Sequence, residues 1–514
     1  MSSLSLSIVV IIYVFIVVGL GYLGYIRTKN STDFLLGGRK INPIIMALSY
    51  GATFISTSAI VGFGGISAKF GMGIQWLCML NMLTGVIIAF IFFGKRTRRL
   101  GARHNARTFS QLLGLHYESR HIQIFVATII FIGMPLYAAV VMKGGAVFIE
   151  EIFSINYNLA LLIFTLIVAA YVISGGIKSV LYTDALQGVI MFLCMALLLL
   201  WFYHIMGFGF TEGNRQLTNI AHMVPDDLGA VGHQGWTAMP AFFSPQWFTL
   251  VTSLILGVGI GCLAQPQLAV RFMMVDSDKQ ISRGVLIGCV FIFFTVGTVY
   301  HLGPLTNLYF LKTEGLLSTQ MTPDLDKIIP LFISRALPEW FSALFMLSLL
   351  SAGMSTLSSQ FHTMGAALGA DILPELRKKT NTTTSLGVRL SIICAILISC
   401  VICYALSVNI IARGTALFMG VCAATFLPAY ICSLYWEKAT KTGALASLWT
   451  GALASLFCMI FLHRAEAAPI GICKALFGRD VLIDVYPWFA VDPIVFALPL
   501  STAAIIIVSL WKRK

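Results

Sequence analysis

The chain has 514 residues, of which 58% are hydrophobic and 11% are charged, and its mean hydropathy is +0.88. Because roughly a quarter of the residues in a soluble domain are charged, this composition excludes a soluble enzyme or binding module and is typical of a polytopic membrane protein. The formal net charge of +13 comes from basic residues in short loops between apolar spans, where Lys and Arg set membrane orientation. We therefore expect a lipid bilayer as a partner and no nucleic acid.

About thirteen apolar spans, numbered here in chain order, approach the roughly 20 residues that one bilayer crossing needs. They cover residues 5–26, 42–68, 73–95, 121–149, 157–174, 178–203, 246–270, 284–311, 339–371, 386–408, 412–435, 442–463 and 488–511. Span 1 follows Met1 without a basic flank or a small-residue cleavage site, so we expect a retained helix rather than a signal peptide. The pattern predicts an all-α polytopic membrane protein with one transmembrane domain over residues 1–514.

Lys and Arg predict the orientation of these spans, since positively charged short loops stay in the cytoplasm. The basic residues of the loops after spans 1, 3, 9 and 11 and of the tail are Arg27, Lys29, Arg39, Lys40, Lys95, Arg96, Arg98, Arg99, Arg103, Arg107, Arg120, Arg377, Lys378, Lys379, Lys438, Lys441 and Lys512–Lys514. Thirteen crossings put all of them on one side, which predicts an external N-terminus and a cytoplasmic C-terminus in the cell membrane. The longer loops, 204–245, 312–338 and 464–487, then lie outside and show no enzyme motif.

Spans 2 and 7 carry signals of interrupted helices. The stretch 47–57 of span 2 is rich in hydroxyl residues and is followed by Gly62, Gly64 and Gly65, which weakens helix continuity. In span 7, closely spaced glycines precede Gln265-Pro266, and Pro removes a backbone donor. Two interrupted spans five apart are typical of inverted-repeat transporters, with glycine-mediated packing as the alternative for each span.

A hydroxyl-rich run, Ser351 to Gln360, lies within span 9. At helical spacing Ala352, Ser355, Thr356 and Ser359 form one stripe, and Ser358 lies beside it. Such an oxygen-lined face suits a hard monovalent cation. A close helix–helix contact held by hydroxyl groups is the alternative.

Ionisable residues at membrane depth are expensive and usually functional. Asp184 in span 6 could hold a cation or pair with Lys178, and Lys143 in span 4 could bind an anionic solute or extend its ammonium group towards the outer surface. The Cys residues are scattered mostly through the apolar spans, and the close pair Cys400 and Cys403 has no His or acidic neighbours, so we expect no metal or redox site.

These motifs resemble the sodium:solute symporter family, which includes proline, pantothenate, monocarboxylate, sialic acid and sodium–glucose transporters. The likeness runs from about residue 30 to 450, and its strongest pieces are Gly175-Gly176 with Tyr182-Thr183-Asp184 and Gln187-Gly188, Gln265-Pro266 with Val270-Arg271-Phe272, Met354 to Gln360, and Pro428 with Trp436 to Thr440 and Gly443-Ala444. The resemblance implies a LeuT-type five-plus-five inverted repeat. Residues 41–203 and 246–435 form the two repeats, with a leading helix and loop in 1–40 and two trailing helices with a tail in 436–514.

The resemblance also implies where ligands bind. The main sodium site falls on the carbonyls of Ala52, Ile55 and Ala352 and the side-chain oxygens of Ser355 and Thr356. A second sodium site, known in only some members, falls on Asp184, Ser355, Ser358 and Ser359, and a sodium ion there would neutralise the carboxylate. The candidate solute-binding residues are Phe54, Ser56, Thr57, Gln75, Lys143 and Gln265.

The sequence thus predicts a sodium-coupled symporter that imports a small organic acid or amino acid by alternating access and works as a monomer. Phe54 stands where the family's proline transporters carry an acid, and Ala59 stands where its sugar transporters carry an amide, so both solutes lose support. A sodium-coupled symporter of sugars or other neutral solutes remains an alternative. A channel, a transporter-fold sensor and an intramembrane enzyme are the alternatives from other classes, although we find no catalytic cluster.

Overall fold

The computed structural model describes residues 3–28, 31–39, 41–376, 385–407 and 409–511. Several basic residues that predict the orientation lie outside these ranges, namely Lys29, Lys40, Arg377, Lys378, Lys379 and Lys512–Lys514. Within them, the secondary structure is helical, and eleven helices are long and apolar enough to cross a membrane. One bent pair forms a twelfth candidate span, and a shorter apolar helix, Tyr157–Ile173, stands where span 5 is predicted.

The spans follow the predicted order closely. They are Ser3–Ile26, Pro43–Phe54 with Ser58–Phe70, Met72–Arg103, Arg120–Phe153, Tyr157–Ile173, Gly176–Met206, Pro245–Ala264, Asp278–Glu314, Glu339–Leu376, Leu386–Ala405, Ile411–Tyr435, Lys441–Leu462 and Ile494–Trp511. The main connecting helices are Ser31–Leu36, Phe109–His116, Phe210–Asn219, Asp226–Ala230, Pro266–Phe272, Ser318–Met321, Ile328–Ala336, Arg464–Ile470 and Ile472–Phe477. Spans 3, 4, 6 and 8 continue past their predicted ends, because a helix does not stop where its apolar stretch does.

Span 2 is interrupted, as its composition predicts. Its first half begins at Pro43, with the Asn42 side chain accepting a hydrogen bond from the Ile44 backbone N–H at 2.9 Å, and it ends at Phe54. Ile55 is extended, with φ −98° and ψ 114°, and the second half leaves at a bend of 51°. The carbonyls before the bend therefore lose the helical partners they would have in a continuous helix.

Span 7 is interrupted at the predicted proline. A tight helical turn ends at Ala264, Gln265 is extended with φ −72° and ψ 116°, and Pro266 starts the short helix that ends at Phe272. Proline drives the preceding residue out of the helical region and lacks the N–H that a continuous helix requires there, so the break has a local cause. This short helix carries Arg271 to the centre of the protein.

Span 9 lies at the centre of the protein. In its most apolar 18-residue stretch 83% of the residues are buried, whereas in that of span 1 only 22% are buried. The Tyr13 hydroxyl of span 1 lies 2.9 Å from the Ser351 Oγ, and the Tyr171 hydroxyl of span 5 donates to the Met354 carbonyl at 2.5 Å. These contacts fix the hydroxyl-rich run of span 9 against its neighbours.

Close backbone packing on the second half of span 2 gives a first testable prediction. A Cβ added at Gly65 would lie 1.9 Å from the Leu325 carbonyl oxygen, which no small side-chain adjustment relieves. We expect Gly65→Ala to lower the free energy of unfolding by about 1–3 kcal/mol, the usual range for overpacking. Thermal unfolding in detergent, followed by tryptophan fluorescence, measures this. Gly229→Ala, whose methyl group has no atom within 4 Å, is the control, and equal melting temperatures for both variants would contradict the prediction.

Candidate functional site

The break in span 2 faces the hydroxyl-rich run of span 9. The Ser355 Oγ donates to the Ala52 carbonyl at 2.9 Å and lies 3.2 Å from the Ala352 carbonyl. The Thr356 Oγ1 lies within hydrogen-bond distance of two carbonyls of span 2, that of Thr53 at 3.1 Å and that of Ile55 at 3.3 Å. Ala52, Ile55, Ala352, Ser355 and Thr356 are all fully buried. The structure therefore brings together the five oxygens of the main sodium site that the family resemblance implies.

The chemistry of this oxygen cluster suits a monovalent cation. Three of the oxygens are backbone carbonyls, and two of those, on Ala52 and Ile55, belong to the end of a helix where intrahelical donors run out. The other two are hydroxyls, which now donate to the carbonyls and can rotate to present lone pairs instead. Unwound carbonyls are typical sodium ligands in transporters, and the five oxygens include no carboxylate that would favour a divalent ion.

Asp184 of span 6 lies in a second polar cluster beside the first. Its Oδ2 accepts from the Ser49 Oγ at 2.8 Å and from the Thr53 Oγ1 at 3.2 Å, and its Oδ1 accepts from the Ser358 Oγ at 3.3 Å. The Thr53 Oγ1 also lies 2.9 Å from the Ser359 Oγ. The predicted ligands Asp184, Ser358 and Ser359 thus meet, and Thr53 joins this cluster to the first half of span 2.

The positive charge at Asp184 comes from Arg271, not from Lys178. The Arg271 Nη2 lies 2.8 Å from the Asp184 Oδ2, and the two side chains are 1% and 0% exposed. Lys178 pairs instead with Asp33 at 3.0 Å. In the sequence Arg271 stands out only as part of a family motif. An intramembrane carboxylate is expensive without a positive partner, and Arg271 is a basic residue directly after a predicted helix break, so both residues carry a signal that only the structure joins.

Four of the candidate solute residues lie at the two breaks. Phe54, Ser56 and Thr57 border the bend in span 2, where the Thr57 Oγ1 donates to the Val141 carbonyl of span 4 at 2.6 Å. Gln265 forms the break in span 7, and its Oε1 accepts from the Gln267 Nε2 at 3.1 Å.

Gly85 of span 3 lies close to residues near both breaks. A Cβ added there would lie 2.7 Å from the Phe54 ring and 3.3 Å from the Cys262 Sγ of span 7. The Gly85 carbonyl also accepts from the Tyr50 hydroxyl at 2.7 Å. A glycine at this position therefore lets span 3 approach both interrupted spans.

The structure gives Gln75 and Lys143 partners elsewhere. The Gln75 Nε2 donates to the Gly297 carbonyl of span 8 at 3.0 Å. The Lys143 Nζ donates to the carbonyls of Leu406 and Ser407, at 3.3 Å and 2.5 Å, and this side chain is only 6% exposed. These carbonyls follow the end of span 10, so the ammonium group caps a helix C-terminus.

The chain is similar in sequence to proteins of one known family. A family model described as the sodium:solute symporter family matches residues 34–451. The chain is 28% identical over 462 residues to a sodium/pantothenate symporter of Haemophilus influenzae, covering 87% of this chain and 89% of that protein. It is 27% identical over 441 residues to the high-affinity proline transporter PutP of Bacillus subtilis, covering 84% and 88%.

Among solved structures, the chain is similar to the substrate-bound, outward-open state of a Na+-coupled sialic acid symporter. The TM-score is 0.74 at 16% sequence identity, and the alignment covers 98% of this chain and 97% of the other. At this identity the likeness shows the fold alone. The predicted all-α, LeuT-type membrane fold is therefore confirmed.

The contacts of Lys143 give a second prediction. Lys143→Met keeps most of the apolar stem and removes the charge that caps span 10, so we expect a loss of about 1.5–3 kcal/mol of stability, the range for hydrogen bonds to charged groups. The melting temperature in detergent should fall, while Lys474→Met, at a mostly exposed lysine, should leave it unchanged. A changed solute affinity at an unchanged melting temperature would instead make Lys143 part of a solute site.

Proposed function

The chain belongs to the sodium:solute symporter family, and from that premise we propose that it imports a small organic acid or amino acid together with sodium. The observation that carries the proposal is the cluster of five buried oxygens between the break in span 2 and span 9. Sodium binds there, between two helices that must separate for the site to open.

Sodium binding at this cluster couples the two helices. The ion binds the carbonyl oxygens of Ala52 and Ile55, which are hydrogen-bond acceptors for the hydroxyls of Ser355 and Thr356 in this structure. Its charge attracts the oxygens of span 2 and of span 9 at the same time. It thereby favours the arrangement in which span 2 rests against span 9. Because the solute contacts the same bend, sodium raises solute affinity and the solute raises sodium affinity by the same factor.

The second half of span 2 supplies an anion site for the solute. This helix begins at Ser58 directly after the bend, and a helix N-terminus favours negative charge, although its Ala59 and Ile60 N–H groups already donate to the Ser56 carbonyl, at 3.0 Å and 3.3 Å. The Ser58 Oγ is fully buried and has no hydrogen-bond partner among the described residues. A carboxylate at the bend would accept from the Ser58 hydroxyl, next to Ser56 and Thr57, and would be stabilised by the positive end of this helix. The names of the pantothenate and proline relatives fit this chemistry, since both solutes carry a carboxylate.

A polar route leads from the sodium cluster towards the other end of span 9. Gln360 lies one helical turn beyond Thr356, is fully buried, and has neither amide atom partnered among the described residues. Thr363 and His362 then line a small cavity with Thr108 and Ser110. In our proposal sodium and solute leave along this face of span 9.

This route defines the orientation that we propose. The cavity is lined by Arg107 of the loop after span 3, and the end of span 3 carries Arg98, Arg99 and Arg103, so this basic side faces the cytoplasm. The N-terminus is then outside the cell membrane and the C-terminus inside. We further propose that residues 41–203 and 246–435 form the two inverted repeats and that the monomer is the transporting unit.

Uptake into proteoliposomes tests the function. Radiolabelled organic acids, amino acids and sugars are presented to purified protein with and without an inward sodium gradient. We expect a carboxylate-bearing solute to accumulate only with the gradient, and its uncharged amide analogue to compete poorly. Gradient-driven uptake of a sugar instead would remove the carboxylate from the proposal, and solute flux indifferent to sodium would indicate a channel.

Substitutions at the oxygen cluster test the sodium site. Thr356→Ala removes one ligand without adding volume, so the sodium concentration for half-maximal uptake should rise roughly tenfold, which corresponds to about 1.4 kcal/mol. Ser355→Ala should have a smaller effect in the same direction. The matched control is Thr165→Ala in span 5, because the Thr165 hydroxyl donates within its own helix, to the Leu161 carbonyl at 2.7 Å. Unchanged sodium dependence in both cluster variants would leave the hydroxyl stripe as helix packing.

A further inference from the structure

We propose that the guanidinium group of Arg271 is a built-in cation that occupies the polar cluster at Asp184, so that each transport cycle carries one sodium ion, bound at the main oxygen cluster. The one-sodium consequence rests on the proposed function. The occupancy of the Asp184 cluster by Arg271 can be tested separately from it.

The surroundings of one nitrogen atom carry this inference. The Arg271 Nη2 lies 2.8 Å from the Asp184 Oδ2, 2.7 Å from the Ser359 Oγ, 2.5 Å from the Thr53 Oγ1 and 3.1 Å from the Ser49 Oγ. Four oxygens at such distances exceed the two hydrogens that this nitrogen can donate. The arrangement is therefore that of an oxygen shell around a positive charge.

The oxygens of this shell come from three spans. Asp184 belongs to span 6, Ser49 and Thr53 to the first half of span 2, and Ser359 to span 9. Asp184 and Ser359 are also ligands that the family resemblance assigns to a second sodium ion. Arg271 therefore uses oxygens that this ion would need, and it neutralises the carboxylate that would attract it.

Electrostatics makes the two occupants mutually exclusive. Both side chains of the pair are almost completely buried, so water does not screen a second positive charge placed beside the guanidinium. Arginine stays protonated in proteins, and so the site remains filled at any physiological pH. A sodium ion can enter only if the guanidinium leaves.

The position of Arg271 ties this occupancy to the break in span 7. Arg271 lies in the last turn of the short helix Pro266–Phe272, and its Nη1 donates to the Gln267 carbonyl of the same helix at 2.8 Å. The guanidinium is thus held on the element that follows the break. Arg271 is a positioning residue that links this element to spans 2, 6 and 9.

Direct counting of bound sodium tests the inference without a known solute. Equilibrium dialysis of purified protein with ²²Na+ gives the number of ions per chain, and we expect one in the wild type. Arg271→Gln removes the charge and frees Asp184, so this variant should bind two ions per chain. The double variant Arg271→Gln with Asp184→Asn should return to one, and Arg271→Lys should stay at one.

The single variant Asp184→Asn tests the inference while Arg271 is still present. If Arg271 occupies the cluster, Asp184 is not a sodium ligand in the wild type, and the count stays at one. A wild type that binds two ions, with one lost in Asp184→Asn, would overturn the inference, as would an Arg271→Gln protein that folds and binds no additional ion.

Thr356→Ala distinguishes this inference from the proposed function. In the wild type Thr356→Ala should lower the affinity for the single bound sodium ion, whereas in Arg271→Gln it should lower the affinity for one of the two bound ions. If the wild type bound none but Arg271→Gln bound one that Asp184→Asn removed, the main sodium site would fail and the built-in cation would be supported. A wild type and an Arg271→Gln variant that both bind none would overturn it.

Discussion

The bend in span 2 is the constraint on which the rest of the structure depends. A bilayer offers no water to satisfy backbone groups, so the carbonyls released near Ala52 and Ile55 require partners within the protein. Ser355 and Thr356 provide those partners from span 9. Span 9 must therefore be central and almost wholly buried, and the spans around it, including span 1 through Tyr13 and span 5 through Tyr171, pack to hold it there.

The same requirement explains why the break can serve transport. Hydroxyl-to-carbonyl hydrogen bonds hold the two helices together through dipoles, which a cation can replace with a stronger interaction. The helix that starts at Ser58 directs its positive end to the same bend, so released carbonyl oxygens and a helix N-terminus meet at one irregular segment. In the proposed function, coupling between sodium and solute needs no long pathway, because both would stabilise one local arrangement of span 2.

The buried charges of Asp184 and Arg271 form an ion pair. Asp184 and Arg271 are 87 residues apart in sequence and belong to span 6 and to the helix after span 7, yet they meet at 2.8 Å with almost no exposure. Separating such a pair leaves an uncompensated buried charge, so the pair constrains the short helix after span 7 relative to span 6. Spans 2 and 7 are connected twice near their breaks, once through Gly85 of span 3 and once through Arg271, whose Nη2 also donates to Ser49 and Thr53 of span 2.

The sequence alone determined the order of the apolar spans, both breaks and the hydroxyl stripe of span 9, because apolar length, proline and helical spacing are local properties. The family motifs also named the five oxygens that the structure brings together. Local patterns could not identify the partner of Asp184 or separate Lys143 and Gln75 from the solute candidates at the breaks. Those assignments depend on which side chains meet across distant spans. Only the tertiary structure decides that Arg271 reaches Asp184, while Lys143 caps span 10 and Gln75 binds span 8.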